Sequence, residues 1–343
     1  MLLDEVKGEQ RLRRVLGPLQ LSSLGVGAII GTGIFVLTGV AAHDRTGPAL
    51  MLSFVAAGLT CVFAALCYAE FASMVPVAGS AYTYAYATLG ELFAWIIGWD
   101  LILEYAVASS TVAHGWSHYF QALLQFFNIP FPDIVSNAPF DYDPATGALV
   151  LTGTVLDLPA IVITLLVTII LVKGIRESAT FNAVIVAIKV AVVLFVIVVG
   201  SFYIKPENWV PFAPFGLTGI SFFGHTLFGQ TGPAGEPVGM LAGAAIVFFA
   251  YIGFDSVSTQ AEEAKNPSRD VPIGIIVSLI LCTVLYIAVS AVLTGMVKYS
   301  ELNIDAPVSD AFRQAGLPWA ELLVSIGAIS GITSVLLVMM LSQ

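Results

Sequence analysis

Long apolar stretches separated by short polar segments dominate this chain. Each stretch holds about 20 mostly apolar residues, the length that an α-helix needs to cross the hydrocarbon core of a bilayer. The third stretch could continue to Phe127, which predicts a tilted helix or an interfacial turn at its end. Eight stretches are predicted to span a membrane, with approximate limits of 21–42, 49–73, 92–120, 158–173, 178–202, 240–260, 272–297 and 320–341.

The composition agrees with a multi-pass, all-α membrane protein. Of the 343 residues, 58% are hydrophobic and only 10% are charged, whereas a soluble chain carries about a quarter charged residues. A soluble fold of this length could not bury so much apolar surface in one core. The net charge of -10 sits in short loops and therefore says little about partners, and the three cysteines lie inside apolar stretches.

The basic residues predict the orientation, because Lys and Arg favour cytoplasmic segments. This places the N-terminus in the cytoplasm, the 128–157 and 203–239 segments outside, and the protein in the plasma membrane. The predicted inner segments hold eight basic residues against four outside, namely Lys7, Arg11, Arg13, Arg14, Lys173, Arg176, Lys265 and Arg269 against Arg45, Lys205, Lys298 and Arg313.

The first stretch contains four glycines in nine residues, Gly25, Gly27, Gly31 and Gly33, and the last two flank Thr32. Glycine lowers the cost of leaving helical geometry and lets a ligand approach the backbone. An alternative is close helix packing, since Gly27 and Gly31 share one helix face. Gly31 and Gly33 do not share a face, so an unwound segment and a packing motif both remain open.

The sixth stretch is interrupted by Gly253 and then by Asp255. An ionisable group inside a membrane is costly and indicates a function, although Asp255 could also reach the cytoplasmic surface from a helix end. The interruptions in the first and sixth spans would be at corresponding positions if the fold is five helices followed by five inverted ones, and matched breaks of this kind point to the binding site of a transporter. Free N–H groups there suit a carboxylate and free carbonyls suit an ammonium, so the site would fit an amino acid.

Other ionisable residues fall inside the predicted spans. Lys189 lies about half a span from either end, so it must be paired, bonded to carbonyls or neutral, and a carrier could use it as a protonation switch. Asp100 and Glu104 share one face of the third span, and Glu104 is the deeper candidate for a proton relay or a helix clamp. His114 and His118 have a spacing that can bind metal, but no third ligand stands nearby in sequence and no metal site is expected.

Signatures of enzymes are absent, including HExxH, a Walker loop, GxSxG and CxxC. We therefore expect no catalysis, no cofactor and no nucleic-acid partner. A channel would show rings of charge or filter repeats, and the sequence has none. A non-transporting membrane subunit remains an alternative, and an accessory subunit cannot be read from the sequence.

Four stretches resemble the amino acid–polyamine–organocation superfamily. GVGAIIGTGIFVLTG at 25–39 resembles its first-helix signature. GWDLILEYAVASSTVAHGWS at 98–117, FFAYIGFDSVSTQAEEAKNPSRDVPIGI at 248–275 and GITSVLLVMMLSQ at 331–343 are similar to its cationic amino acid transporter branch. The resemblance covers nearly the whole chain and implies a bacterial-type amino acid permease with an inverted five-plus-five fold and broken first and sixth helices.

The resemblance also implies roles for individual residues. The backbone from Ile30 through Gly31 and Thr32 to Gly33 would bind the substrate carboxylate, and Ala108 on the third helix would form part of the pocket wall.

On the sixth helix, the resemblance implies that Phe249, Ala250, Ile252 and Gly253 supply carbonyls for the substrate amine and a gating aromatic ring. Lys189 matches a lysine that takes the place of sodium in proton-coupled members, so the proton gradient would drive transport. The implied substrate is a small neutral or cationic L-amino acid, and the small apolar pocket wall favours a neutral one.

The resemblance divides the chain into a cytoplasmic tail at 1–20, a first repeat at 21–202, an external connection at 203–239 and an incomplete second repeat at 240–343. Members of the family have more spans than the eight predicted here. The final residues, 342–343, resemble the start of the next family motif, so a C-terminal truncation is expected.

Overall fold

The computed structural model describes residue 14 and residues 16–75, 79–143, 148–173, 175–222, 225–232 and 235–343. Most of the predicted cytoplasmic tail at 1–20 therefore lies outside the described residues. The described residues form a helical bundle, with short strands confined to the segments between helices.

The first predicted span is two helical segments instead of one. Helix α1 covers Pro18–Ile29, with a proline at its first position where the missing N–H costs nothing. After three residues the chain becomes helical again as a wide turn at Gly33–Leu37, helix α2 at Thr38–Ala41 and a second wide turn at Ala42–Thr46.

The remaining helices of the predicted first repeat are α3 Leu50–Met74, α4 Ser80–Leu89, α5 Glu91–Phe126, α6 Leu158–Lys173 and α7 Ile175–Ser201. The length of α5 confirms that the third span continues almost to Phe127. Helix α4 was not predicted, because its ten residues are too short and too rich in Ser, Thr and Tyr to resemble a span. Gly79 and Gly90 bound it, and both have positive φ angles.

The predicted second repeat contains α8 Met240–Val247, a 3-10 turn at Phe248–Tyr251, α9 Ser256–Thr259, α10 Pro267–Met296, α11 Pro307–Gln314 and α12 Pro318–Ser342. Helix α10 begins at Pro267, before the approximate limit of 272 that is predicted for the seventh span, and contains Pro272. The polar turn before Pro272 is helical since the buried Asp270 carboxylate accepts the N–H of Asn266, 3.1 Å away.

Short antiparallel hairpins occupy the two long segments that are predicted to be external. Strand β1 (Phe140–Asp143) pairs with β2 (Ala148–Leu151), and β3 (Ile220–Phe222) pairs with β4 (His225–Phe228). The two-residue strands β5 (Gln230–Thr231) and β6 (Pro237–Val238) pair next to α8. These hairpins leave the predicted all-α membrane class unchanged.

Length and apolarity mark the spanning helices. Two apolar helices are shorter. Pro18–Ile29 completes the broken first span, and Leu158–Val172 corresponds to the fourth predicted span. Within the described residues, six helical stretches are long and apolar enough to cross a membrane, namely Gly33–Met74, Glu91–Phe126, Val184–Ser201, Met240–Thr259, Pro267–Met296 and Pro318–Ser342.

The interior is built around α10, which packs against α1 and α3, while α12 packs against α5 and α7. Phe54, Tyr251 and Tyr286 form a fully buried aromatic cluster, with ring centroids of neighbours 5.1–6.3 Å apart. Large apolar side chains such as Phe63 and Leu165 point outward and are more than half exposed. Such a surface requires a lipid solvent.

Candidate functional site

The break in the first span lies at residues 30–32. Helix α1 ends when Ile30 adopts an extended conformation, with φ -73° and ψ 106°. The carbonyl of Gly31 accepts the amides of both Ile34 and Phe35 at 3.1 Å. Among the described residues, the amides of Gly31 and Thr32 have no hydrogen-bond partner, so they remain available to an anion.

The break in the sixth span lies between the 3-10 turn at Phe248–Tyr251 and helix α9. Ile252 is extended, with ψ 135°, and Gly253 has a φ of +109°, which side chains disfavour. The chain returns to a helical conformation at Asp255, and the Ser256 hydroxyl donates to the carbonyl of Gly253.

The backbones of the two breaks approach each other closely at glycine residues. A Cβ placed on Gly33 would lie 2.6 Å from the Cβ of Ala250, and one on Gly253 would lie 3.0 Å from the Cβ of Ala28. Side chains at these positions would therefore push the two backbones apart. This geometry confirms the broken first and sixth helices, and Gly33 and Gly253 serve close packing as well as unwinding.

A cavity of about 340 Å³ lies against the two breaks. Thr32 and Gly33 from the first break and Ala108 from α5 line it. Gly31 lies behind this surface, since a Cβ there would overlap the side chain of Val335. From the sixth break, the lining includes Phe249, Ala250 and Ile252, but Ile30 and Gly253 do not line the cavity.

The walls of the cavity near the breaks are neutral. Val36, Val112, Val335 and Met339 contribute apolar surface, and Thr111 contributes a hydroxyl. The ionisable lining residues are His114 and His118 from the C-terminal half of α5 and Asp141 and Asp305 from the segments between helices.

Lys189 is fully buried beside the first break. Its ammonium donates to the carbonyl of Gly27, to the carbonyl of Ile30 at 2.9 Å and to the hydroxyl of Ser334 at 3.3 Å. No acidic side chain within the described part of the chain pairs with it. Lys189 therefore completes the hydrogen bonds that α1 loses where it stops.

Tyr286 is a contact residue that the sequence analysis missed. Its hydroxyl lies 2.7 Å from the carbonyl oxygen of Ile29 and 2.8 Å from that of Ala250, so a single side chain bridges both breaks. One hydroxyl has one proton and can donate to only one of the two carbonyls at a time. A tyrosine in an apolar span carries no sequence signal that separates this role from packing.

Asp255 is 6% exposed and does not reach the surface, which argues against the alternative of a carboxylate at a helix end in water. Tyr105 donates to it at 2.6 Å and Ser80 at 3.5 Å, which joins the sixth span to α5 and α4. Glu104, next to Tyr105, is half-buried. In the described structure neither acid bonds to Lys189, so Lys189 and Glu104, the two residues predicted for proton coupling, do not interact directly.

The two histidines of α5 bind carboxylates. Nδ1 of His114 lies 2.8 Å from Asp157, and Nδ1 of His118 lies 3.1 Å from Asp305. Asp100 is exposed, as its interfacial alternative requires. No group of three or more His, Cys, Asp or Glu side chains with metal-binding geometry occurs among the described residues.

The comparisons with known proteins agree on one family. The amino acid permease family matches residues 16–343. The methylthioribose transporter of Bacillus subtilis is 49% identical over 97% of this chain and 66% of its own length. The branched-chain amino acid permease BcaP of the same organism is 49% identical over 100% of this chain and 68% of its own length.

A plant relative is more distant. The vacuolar cationic amino acid transporter 4 of Arabidopsis thaliana is 40% identical over 98% of this chain. The chain spans about two thirds of the length of the Bacillus relatives and about half of the plant one.

Replacing Tyr286 with phenylalanine tests its contact with both breaks. Because a buried carbonyl would lose its donor, we expect the Tyr286→Phe variant to be less stable by about 1–3 kcal/mol. The thermal unfolding midpoint of the detergent-purified protein measures the change. Tyr82→Phe is the control, since Tyr82 is 43% exposed; equal midpoints for the two variants would contradict the bridging role.

Proposed function

Because the chain belongs to the amino acid permease family, we propose that it is the core of a proton-coupled amino acid carrier. It works by alternating access in the plasma membrane, with its N-terminus in the cytoplasm. The relatives are transporters by name, which supports transport over catalysis.

The observation that carries this proposal is the pairing of two broken helices at one cavity. The unpaired amides of Gly31 and Thr32 suit a carboxylate, because the first span continues as a helix beyond them. Ile252, in the irregular backbone of the sixth break, has a carbonyl that accepts no hydrogen bond among the described residues, and such a group suits an ammonium. A zwitterionic amino acid would satisfy both at once, with Ala108 against its side chain.

A neutral side chain fits the cavity best. The lining near the breaks is apolar or hydroxylic, and the acidic lining residues Asp141 and Asp305 belong to the outer loops. A cationic side chain would need a carboxylate beside the breaks. The side chains of branched-chain amino acids, the named substrates of one relative, are uncharged. Methylthioribose, the named substrate of another relative, is also uncharged.

Lys189 is the proposed coupling residue. In its charged form its three N–H donors match three acceptors, the carbonyls of Gly27 and Ile30 and the hydroxyl of Ser334, and loss of its proton would remove one of these donors. Protonation is therefore tied to the shape of the site. Glu104 and Asp255 are proposed as a second proton-sensitive pair, because Asp255 ties the sixth span to α5 through Tyr105.

Uptake into proteoliposomes tests the function, using the natural full-length protein and a panel of radiolabelled substrates. We expect saturable uptake of small neutral amino acids that an inward proton gradient stimulates. Arginine and lysine serve as the cationic comparison, and methylthioribose as the uncharged one that is not an amino acid. Binding without any uptake would favour a non-transporting subunit, and non-saturable flux would favour a channel.

The Lys189→Ala variant tests proton coupling. We expect it to insert into the membrane but to lose the stimulation of uptake by the proton gradient, because the protonated donor at the first break is gone. Uptake with and without the gradient measures the effect. Lys298→Ala is the matched control, since Lys298 is exposed; gradient stimulation that persists unchanged in Lys189→Ala would refute the coupling role.

The Gly31→Leu variant tests the carboxylate site. A side chain at position 31 would overlap Val335 and displace the backbone beside Thr32, so we expect substrate binding to fall below detection. Binding of labelled substrate to the purified protein measures this loss. Gly98→Leu is the control, because only the ring of Tyr82 lies near that position; full binding by Gly31→Leu would place the carboxylate elsewhere.

A further inference from the structure

Two histidines one turn apart on α5 hold two different outer segments. His114 pairs with Asp157, the residue before α6, and His118 pairs with Asp305 in the loop between α10 and α11. The two imidazole rings are 4.4 Å apart. His114, His118 and Asp305 all line the cavity, and Gly115, next to His114, packs against Thr32 of the first break.

The loop that carries Asp305 lies between α5 and the outer half of the first span. The side-chain oxygen of Asn303 accepts the amides of Asp305 and Ala306 at 2.7 and 3.2 Å, which gives the loop a fixed turn. On the other side, Gly39 has no room for a Cβ because the ring of Pro307 fills the space. The loop therefore borders the mouth of the cavity and contacts both of its walls.

The two ion pairs differ in how firmly the carboxylate is held. Asp157 is 10% exposed and also accepts the Ser117 hydroxyl at 2.6 Å and the Ala160 amide at 3.1 Å. It stays in place without His114. Asp305 is 60% exposed, and among the described residues His118 is the side chain that binds it.

Charged and titratable groups face His118 from several elements. Asp305 faces it from the loop, His114 lies one turn away on α5 and is paired with Asp157 just before α6, and Asp141 of β1 lines the same cavity. Asp310 on α11 is paired with Arg313. The hydrogen bond from His118 lowers the pKa of Asp305 below its ordinary value. Burial opposes this shift, and the charges of the two imidazoles lower the pKa further.

We propose that His118 and Asp305 form a pH-sensitive latch that closes the outer mouth of the cavity. Imidazole changes charge between about pH 5 and 8. Below that range the pair is ionic and holds the loop across the mouth. As the pH rises, His118 becomes neutral, the attraction weakens, and the exposed Asp305 carboxylate is released to water so that the loop can move away.

Chemical labelling of the cavity tests the latch without any need for transport, so the result is independent of the proposed function. A Thr111→Cys reporter places a thiol on the cavity wall of the full-length protein in a Cys67→Ser background. A charged, membrane-impermeant methanethiosulfonate reagent is added at about pH 5.5 and about pH 8, with equal pH on both sides. Rates are divided by those of a Leu149→Cys variant, since Leu149 is an exposed residue of the outer hairpin and corrects for thiol ionisation.

We expect the corrected labelling rate to rise several-fold from the acidic to the alkaline condition. Both His118→Gln and Asp305→Asn should label quickly at either pH, while His114→Gln should keep the pH response because Asp157 has other donors. An unchanged pH response in His118→Gln, or a wild-type reporter whose corrected rate does not depend on pH, would overturn the proposal.

Discussion

The structure depends on the satisfaction of backbone groups where two helices stop inside an apolar bundle. In lipid, an unpaired N–H or C=O costs several kcal/mol, so irregular backbone persists only where other groups bind it. At the first break, the Lys189 ammonium donates to the carbonyls of Gly27 and Ile30, and the carbonyl of Gly31 accepts two amides. The groups left over, the amides of Gly31 and Thr32, lie beside the cavity. The backbone groups that the protein does not satisfy itself are therefore the ones proposed to bind a ligand.

Helix α10 holds the two breaks in register. The hydroxyl of Tyr286 contacts a carbonyl from each break, and its ring lies in the buried cluster with Phe54 and Tyr251. Because that hydroxyl has one proton for two carbonyls, one acceptor is always short of a full hydrogen bond. An ammonium group, with three donors, would relieve this shortage. The contact that fixes the geometry of the two breaks therefore also supports the proposal that an ammonium binds there.

The sequence predicts the features that have a one-dimensional signal. Twenty-residue apolar stretches give the spans, Gly31 and Gly253 mark the breaks, and a lysine in an apolar run stands out at Lys189. Helix α4 was missed because it is short and moderately polar. Tyr286 was missed because its role depends on where its hydroxyl ends in space. The partners of His114 and His118 were also missed, since Asp157 and Asp305 are 43 and 187 residues away from them along the chain.

Helix α5 is the element against which both ends of the cavity are held. Near one end, Tyr105 binds the buried Asp255 of the sixth span, and near the other, His118 binds Asp305. His118 follows Tyr105 by 13 positions, which corresponds to roughly 20 Å along a helix, so these ties act at opposite sides of the breaks. Both contain a carboxylate, and each joins α5 to a segment bordering the first or sixth span. A carrier that exposes one site alternately to two sides must weaken one tie while it keeps the other. Protonation of the Asp255 carboxylate would weaken its hydrogen bond with Tyr105, whereas protonation of the His118 imidazole would strengthen its ion pair with Asp305, so an acidic solution would act on the two ties in opposite directions.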